Sequence, residues 1–149
     1  MRSLRLALLA LPLLPALASA QSLPLLPSFG LKLGYSQSDL PGLAAGADFK
    51  VPMTPIRLDA DVWGSFADFG KRSAGTALTA NYVFDKVPLV YFGGGVGYAY
   101  GIDKDSDHFN QVAGKVFVGG KVPFLGTGLE GALLFSKRTV FTLSAVWRF

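Results

Sequence analysis

The clearest indication of the fold of this chain is the stretch Ile56-Arg57-Leu58-Asp59-Ala60-Asp61-Val62-Trp63-Gly64-Ser65-Phe66. Apolar residues alternate in it with charged and polar ones, and this is the period of a β-strand, whose successive side chains point to opposite faces. One face is aliphatic and the other carries two aspartates, an arginine and a tryptophan. The stretch therefore predicts a strand that separates an oily surface from an ionic one.

The same alternation recurs along the chain and predicts eight strands. Their expected bounds are 29–35, 43–51, 56–66, 76–85, 89–100, 112–122, 127–135 and 140–149. The tripeptide Lys-Val-Pro at 50–52, 86–88 and 121–123 marks three reversals, because proline has no N–H for a sheet ladder. We expect tight turns after these motifs and long loops at the other end, over 36–42, 67–75 and 101–111, with 136–139 as a shorter exception. The fold class is thus an all-β, eight-stranded antiparallel up-and-down transmembrane β-barrel.

The polar face is expected to hold every charged side chain of the strands and to form a network of paired lumenal charges. These residues are Lys32, Asp48, Lys50, Arg57, Asp59, Asp61, Asp85, Lys115, Lys121, Glu130 and Arg148. Eight strands enclose a space that side chains can fill. With Trp63 and Phe117 added, the network predicts a plugged lumen and no diffusion pore.

Aromatic residues of the apolar face gather near both strand ends. The tight-turn end has Phe29, Phe49, Phe84, Phe92, Trp147 and Phe149, and the loop end has Tyr35, Phe66, Tyr98, Tyr100, Phe135 and Phe141. Two aromatic bands with aliphatic residues between them are typical of barrels in a bilayer. The alternative is a secreted or periplasmic lipocalin-like barrel, which would turn the apolar face inward to bind an apolar ligand.

The first twenty residues have the pattern of a cleaved signal peptide. Arg2 and Arg5 precede an apolar stretch, and Ala18-Ser19-Ala20 is a small-x-small cleavage site. We therefore expect a signal peptide over 1–20, a short periplasmic segment over 21–28 and the barrel over 29–149. Cleavage would remove two of the charges behind a formal net charge of +4, which argues against nucleic-acid binding. Cysteine is absent, so the exported domain has no disulfides.

Three short motifs suggest other chemistry only weakly. Asp103, Asp105 and Asp107 have the spacing of a calcium loop, but His108 stands where that loop needs glycine. Ser106 and His108 lie too close in one loop for the fixed geometry of a catalytic triad. Basic pairs in the loops, at 71–72 and 137–138, could contact lipid phosphates. We expect no catalytic residue, no metal site and no cofactor.

The mature chain resembles the small eight-stranded bacterial outer-membrane barrels, the group of OmpA transmembrane domains and OmpX-like proteins. The residues that carry the resemblance most specifically are 141–149, FTLSAVWRF, with Phe141, Leu143, Trp147 and Phe149 as the C-terminal assembly signal. The resemblance implies a bacterial outer-membrane location and, as partners, outer-membrane lipids including lipopolysaccharide and the barrel-assembly machinery. It further implies a monomer with a non-enzymatic, structural or surface-interaction role. Adhesion, envelope stability and small-solute passage all fit the pattern.

Overall fold

The computed structural model describes residues 27–68, 71–123 and 126–149. These residues form eight antiparallel strands, each paired with its neighbours in sequence, and the sheet closes into a barrel. The strands are β1 (Ser28–Gln37), β2 (Pro41–Lys50), β3 (Ile56–Asp68), β4 (Lys71–Phe84), β5 (Val90–Ile102), β6 (His108–Val122), β7 (Thr127–Phe135) and β8 (Thr139–Arg148). The predicted fold class and strand count are confirmed.

Pairing of the first strand with the last closes the barrel. In the register of β1 and β8, Gly30 lies opposite Arg148 and Gln37 opposite Phe141. Beyond this ladder, Phe29 and Phe149 exchange two backbone hydrogen bonds, with N–O distances of 3.1 and 2.8 Å. Because every strand pairs with a neighbour on each side, the sheet formed by the described residues has no open edge strand.

We name the two ends of the barrel by their position relative to the first and last strand. The terminal end carries the start of β1, the end of β8 and the turns after β2, β4 and β6, and the distal end carries the other connections. The predicted difference in loop length between the ends is wrong. The distal connections 38–40, 103–107 and 136–138 are as short as the turns 51–55 and 85–89.

Strands extend further toward the distal end than the alternation predicts, and this extension shortens the loops. β4 begins at residue 71 where 76 is expected, and β6 begins at 108 where 112 is expected. The added segments, residues 71–75 and 108–111, consist mostly of small or polar residues without a regular alternation, so they gave no strand signal. Backbone pairing such as Ile102 with His108 nevertheless continues the ladder through them.

The apolar face of every strand lies outside. Large apolar side chains cover the outer wall, and Val112 and Leu78 are 71% and 64% exposed. Buried polar side chains lie inside, among them Arg57, Asp59 and Asn81. This orientation is opposite to that of a carrier with an apolar cavity, so the lipocalin-like arrangement of the faces is not found.

Both aromatic bands lie on the outer wall. Phe29, Phe49, Phe92 and Trp147 are exposed near the terminal end, as are Tyr35, Tyr98, Phe135 and Phe141 near the distal end. Phe84 is half-buried and packs on Phe92 with ring centroids 4.9 Å apart. The side chain of Phe66 and the expected signal peptide lie outside the described residues. No helix in the described part of the chain is long and apolar enough to cross a membrane.

Glycines on β5 and β6 leave room for large inward side chains. Gly93 lies opposite Phe117 in the register, and a Cβ added at Gly93 would lie 2.6 Å from Cζ of that ring. Gly119 in the same way faces the ring of Tyr91. The glycine clusters noted in the sequence thus accommodate the packing of the interior.

Candidate functional site

Six charged side chains meet inside the barrel nearer the terminal end. This ionic layer consists of Lys32, Arg57, Asp59, Asp61, Lys115 and Glu130. They come from β1, β3, β6 and β7, so the layer spans the lumen from wall to wall. Three cations face three carboxylates, and the layer as a whole is neutral.

Arg57 is the centre of the ionic layer and is fully buried. Its Nη1 donates to Oε2 of Glu130 at 2.7 Å and its Nη2 to Oε1 at 3.1 Å, a bidentate pair. Its Nε lies 2.7 Å from Oδ1 of Asp59. The guanidinium also stacks on the ring of Phe117, with Cζ 3.9 Å from the centroid. This cation is therefore held by two carboxylates and an aromatic face, although its Nε makes no hydrogen bond.

Two lysines complete the layer, and each of them contacts more than one carboxylate. Lys32 Nζ lies 3.2 Å from Asp59, 3.1 Å from Asp61 and 3.4 Å from Glu130. Lys115 Nζ donates to Asp59 at 2.6 Å and also to Asp61. Removing any one of these ions would leave the others without full compensation in a site that is largely buried.

The other charged residues of the predicted network lie between the ionic layer and the terminal end. Lys50 pairs with Asp85, and Arg148 lies 3.7 Å from Asp48 and 3.8 Å from Glu130. Lys121 is exposed at the rim. Burial opposes ionisation of Asp85, but the hydrogen bond and charge of Lys50 outweigh it and keep the pKa of this carboxyl below its usual value. The predicted residues thus form a buried centre and a looser group at the opening.

A second layer of buried side chains lies in the lumen nearer the distal end and contains no charge. This apolar layer consists of Ala44, Trp63, Ala77, Ala99, Phe109, Ala113, Leu134 and Val140. All eight are buried, Val140 to 2% exposure and Ala99 to 0%. The sequence analysis placed Trp63 inside but did not separate the inward alanines from the outward ones. Small inward residues carry little apolar signal of their own, and their face follows from the parity of their strand.

Tyr91 is a buried residue that the sequence analysis missed. Its ring is 1% exposed, and the guanidinium of Arg148 lies over it with Cζ 4.4 Å from the centroid. The sequence offered one indication that Tyr91 lies inside. A glycine cluster stands on the neighbouring strand β6, and Gly119 of that cluster lies directly opposite Tyr91.

Charged residues at the distal end join three of the connections. Arg138, between β7 and β8, contacts Asp39 between β1 and β2, and it lies 3.4 Å from Asp103 and 3.3 Å from Asp105 between β5 and β6. Lys137 lies 3.3 Å from Asp103. We call these five residues the distal latch. The side chains of 71–72, the other basic pair, lie outside the described residues.

Asp103 forms ion pairs in the distal latch and hydrogen bonds within its own loop. Its Oδ1 accepts the backbone N–H groups of Asp105 and Asp107 at 3.0 and 3.1 Å. Burial opposes ionisation, but these N–H groups and the ammonium of Lys137 outweigh it and lower the pKa of Asp103 below its usual value. Within the described residues no cluster of three or more histidine or acidic side chains is placed to hold a metal ion.

His108 and Ser106 do not act together in the structure. Nδ1 of His108 lies 3.4 Å from the hydroxyl of Tyr100 on the outer wall. Ser106 is exposed and its backbone N–H donates to the carbonyl of Asp103 at 2.9 Å. The arrangement of these side chains gives no support to nucleophilic catalysis.

Comparison with solved structures identifies barrels of the same kind. The crystal structure of Ail, the attachment invasion locus protein of Yersinia pestis, matches with a TM-score of 0.52 and 14% identity, over 83% of this chain and 96% of that one. Neisserial surface protein A matches with a TM-score of 0.50 and 14% identity, over 82% and 94%. No protein-family model and no curated protein matches the sequence. Both solved proteins are eight-stranded outer-membrane β-barrels, and this chain has their fold.

Proposed function

We propose that this chain is a bacterial outer-membrane barrel with a plugged lumen and a non-enzymatic, structural or surface-interaction role. The observation that carries the proposal is the pairing of an apolar outer wall, banded by aromatic residues at both ends, with a charged interior. In water such a wall would expose far more contiguous apolar surface than soluble monomers do. In a bilayer the same wall meets lipid, and the closed ladder satisfies the backbone polar groups of the paired strand segments.

The plug consists of the two lumenal layers. The ionic layer joins β1, β3, β6 and β7 by direct ion pairs, and the apolar layer packs the lumen above it. An ion crossing the barrel would have to break pairs such as Arg57 with Glu130 and then enter an uncharged region. We expect no porin-sized currents from the folded chain in planar bilayers. A stable current of porin size from the wild-type protein would contradict the plug.

The distal end faces outward in this proposal, and the chain termini lie on the periplasmic side. Outer-membrane lipids, including lipopolysaccharide, would surround the aromatic bands, and the assembly machinery would recognise the last strand through Phe141, Leu143, Trp147 and Phe149. All four of these side chains point to the outer wall, where a partner can reach them. The charged distal turns are then the surface offered to the environment.

The location can be tested by fractionation and gel mobility. The protein should appear in the outer-membrane fraction and migrate differently before and after boiling, because closed barrels resist unfolding by detergent. Recovery in the soluble periplasm would contradict the proposal.

The orientation can be tested with single cysteines, since the chain has none of its own. Lys104 lies in an exposed distal turn and Lys86 in an exposed terminal turn. A membrane-impermeant maleimide should label Lys104→Cys in intact cells and Lys86→Cys only after permeabilisation. The reverse pattern would place the distal latch in the periplasm.

A further inference from the structure

Three cations converge on the lumen at the terminal end. Lys50, Lys121 and Arg148 end β2, β6 and β8, and each shares the inward parity of its strand. We call these three residues and Asp85 the terminal mouth. Two of the three repeated Lys-Val-Pro motifs supply its lysines, and Lys86 of the remaining motif is exposed in the adjacent turn.

The terminal mouth has more positive than negative charge at its surface. Asp85 is its only carboxylate and is already paired with Lys50. Among the described residues, no carboxylate lies within ion-pair distance of Lys121. Arg148, Asp85 and Lys50 are the charged groups that interact with Lys121, so two of its three charged neighbours repel it. Converging cations of this kind attract a multivalent anion.

Two buried carboxylates lie near the mouth, and Arg148 is the only one of its three cations that they pair with. Arg148 reaches Asp48 and Glu130 only at 3.7 and 3.8 Å, and both carboxylates are almost fully buried beneath it. The Arg148 side chain remains 25% exposed, with its guanidinium spread over the ring of Tyr91. Its planar donors are therefore held at the opening, where they can bind an oxyanion.

The direction of these side chains favours a soluble anion over a lipid headgroup. Residues of the same strand ends that point to the outer wall are Phe49, Val122 and Trp147, all apolar and exposed. The cations point toward the axis, away from the surface that lipid would cover. A dissolved ligand entering the opening meets them directly.

We infer that the terminal mouth is a binding site for a small soluble anion of the phosphate class, held by Lys121, Arg148 and Lys50. The site needs only the closed barrel and is independent of the role proposed for the distal surface. Lys121 contacts the anion first, because its ammonium makes no ion pair within the described residues that would have to break. Arg148 supplies the directed hydrogen bonds.

The test uses the full chain folded in zwitterionic detergent and titrated with pyrophosphate by calorimetry, at about 0.15 M salt, where weak unspecific attraction is screened. Lys121→Gln should weaken binding about fivefold, as expected for loss of one nearby surface charge. Lys104→Gln, the matched exposed lysine of the distal end, should leave the affinity unchanged. Unchanged heat-dependent gel mobility would show that both variants are folded.

Three results would overturn the inference. The wild-type protein could fail to bind pyrophosphate at millimolar concentration, or Lys104→Gln could weaken binding as much as Lys121→Gln does. The third result separates soluble phosphate from lipid phosphate. If anionic phospholipid, added to zwitterionic vesicles holding the protein, competes with pyrophosphate, the ligand is a headgroup and the soluble source is wrong.

Discussion

Both lumenal layers occupy the interior of the barrel, but one consists of charged side chains and the other of apolar ones. The ionic layer packs a few long side chains whose charges bond across the barrel, such as Arg57 with Glu130, next to the buried apolar residues Val83, Tyr91, Phe117 and Ala132. The apolar layer packs small side chains and the flat rings of Trp63 and Phe109 without any polar contact between them. The first depends on directed bonds between distant strands, whereas the second depends only on shape and volume.

The two layers should therefore differ in how well they tolerate substitution. A buried charge that loses its partner cannot be accommodated by small shifts, because water does not reach it to solvate it. Deleting a buried methyl group lowers the free energy of unfolding only by the transfer free energy of that group and by the cost of the cavity it leaves. We therefore expect mutations to have steep effects in the ionic layer and graded effects in the apolar layer.

The largest effect is expected for Arg57→Ala in the ionic layer. Removing this guanidinium leaves Glu130 and Asp59 short of compensation, and losing one partner of a buried pair costs about 3–5 kcal/mol. The free energy of unfolding, measured by urea titration of the detergent-folded protein, should fall by that amount.

A double variant separates the ion pair from simple loss of volume. Arg57→Ala combined with Glu130→Gln should be destabilised less than the sum of the single variants, because the unpaired carboxylate is removed with the cation. If the two changes simply add, the ionic layer acts only by packing and the comparison with the apolar layer fails.

A smaller effect is expected for Val140→Ala in the apolar layer. Val140 is 2% exposed, and deleting two buried methyl equivalents costs about 2 kcal/mol at roughly 0.8 kcal/mol each with a small cavity term. Val112→Ala makes the same change on the outer wall, where the side chain is 71% exposed, and should be nearly neutral in detergent. Equal losses for the two variants would show that the apolar layer is not packed.

The distal latch should be weaker than either layer, since its ion pairs are partly exposed. Arg138→Gln should barely change the unfolding temperature but should speed amide exchange severalfold in residues 38–40 and 104–107. Lys104→Gln removes a neighbouring positive charge without touching the latch and serves as the control. Protection that is equal in both variants would mean that Arg138 does not hold the turns together.

Acid should open the latch before it unfolds the barrel. The pKa of Asp103 is lowered in the folded state, so its contribution is complete above the ordinary carboxyl pKa of about 3.9 and is lost as the pH falls through the folded value. Exchange in the distal turns should therefore be flat from pH 7 to 5, after correction for intrinsic rates, and rise only below the ordinary carboxyl range. In Asp103→Asn that acid transition should disappear, and its persistence would assign it to another group.

Much of the fold could be predicted because strand alternation is a local property. Residues such as Leu58 and Asp59 differ so strongly in hydropathy that their opposite faces are evident from the sequence alone. The prediction was weakest where that contrast is small, at the distal ends of β4 and β6, and there it mistook strand for loop. Tyr91 was missed although its parity, opposite to that of the outward Phe92, places it inside.

Which side chains share a face follows from the order of residues alone, because a period of two residues is a property of strand backbone geometry. Which charge pairs with which depends on the folded barrel. Arg57 and Glu130 are 73 residues apart, and their contact depends on closure of β1 on β8 and on the stagger of every strand between them. Closure likewise decided that the charges would divide into a buried ionic layer, a terminal mouth and a distal latch, because distances across a barrel are not encoded in any single strand.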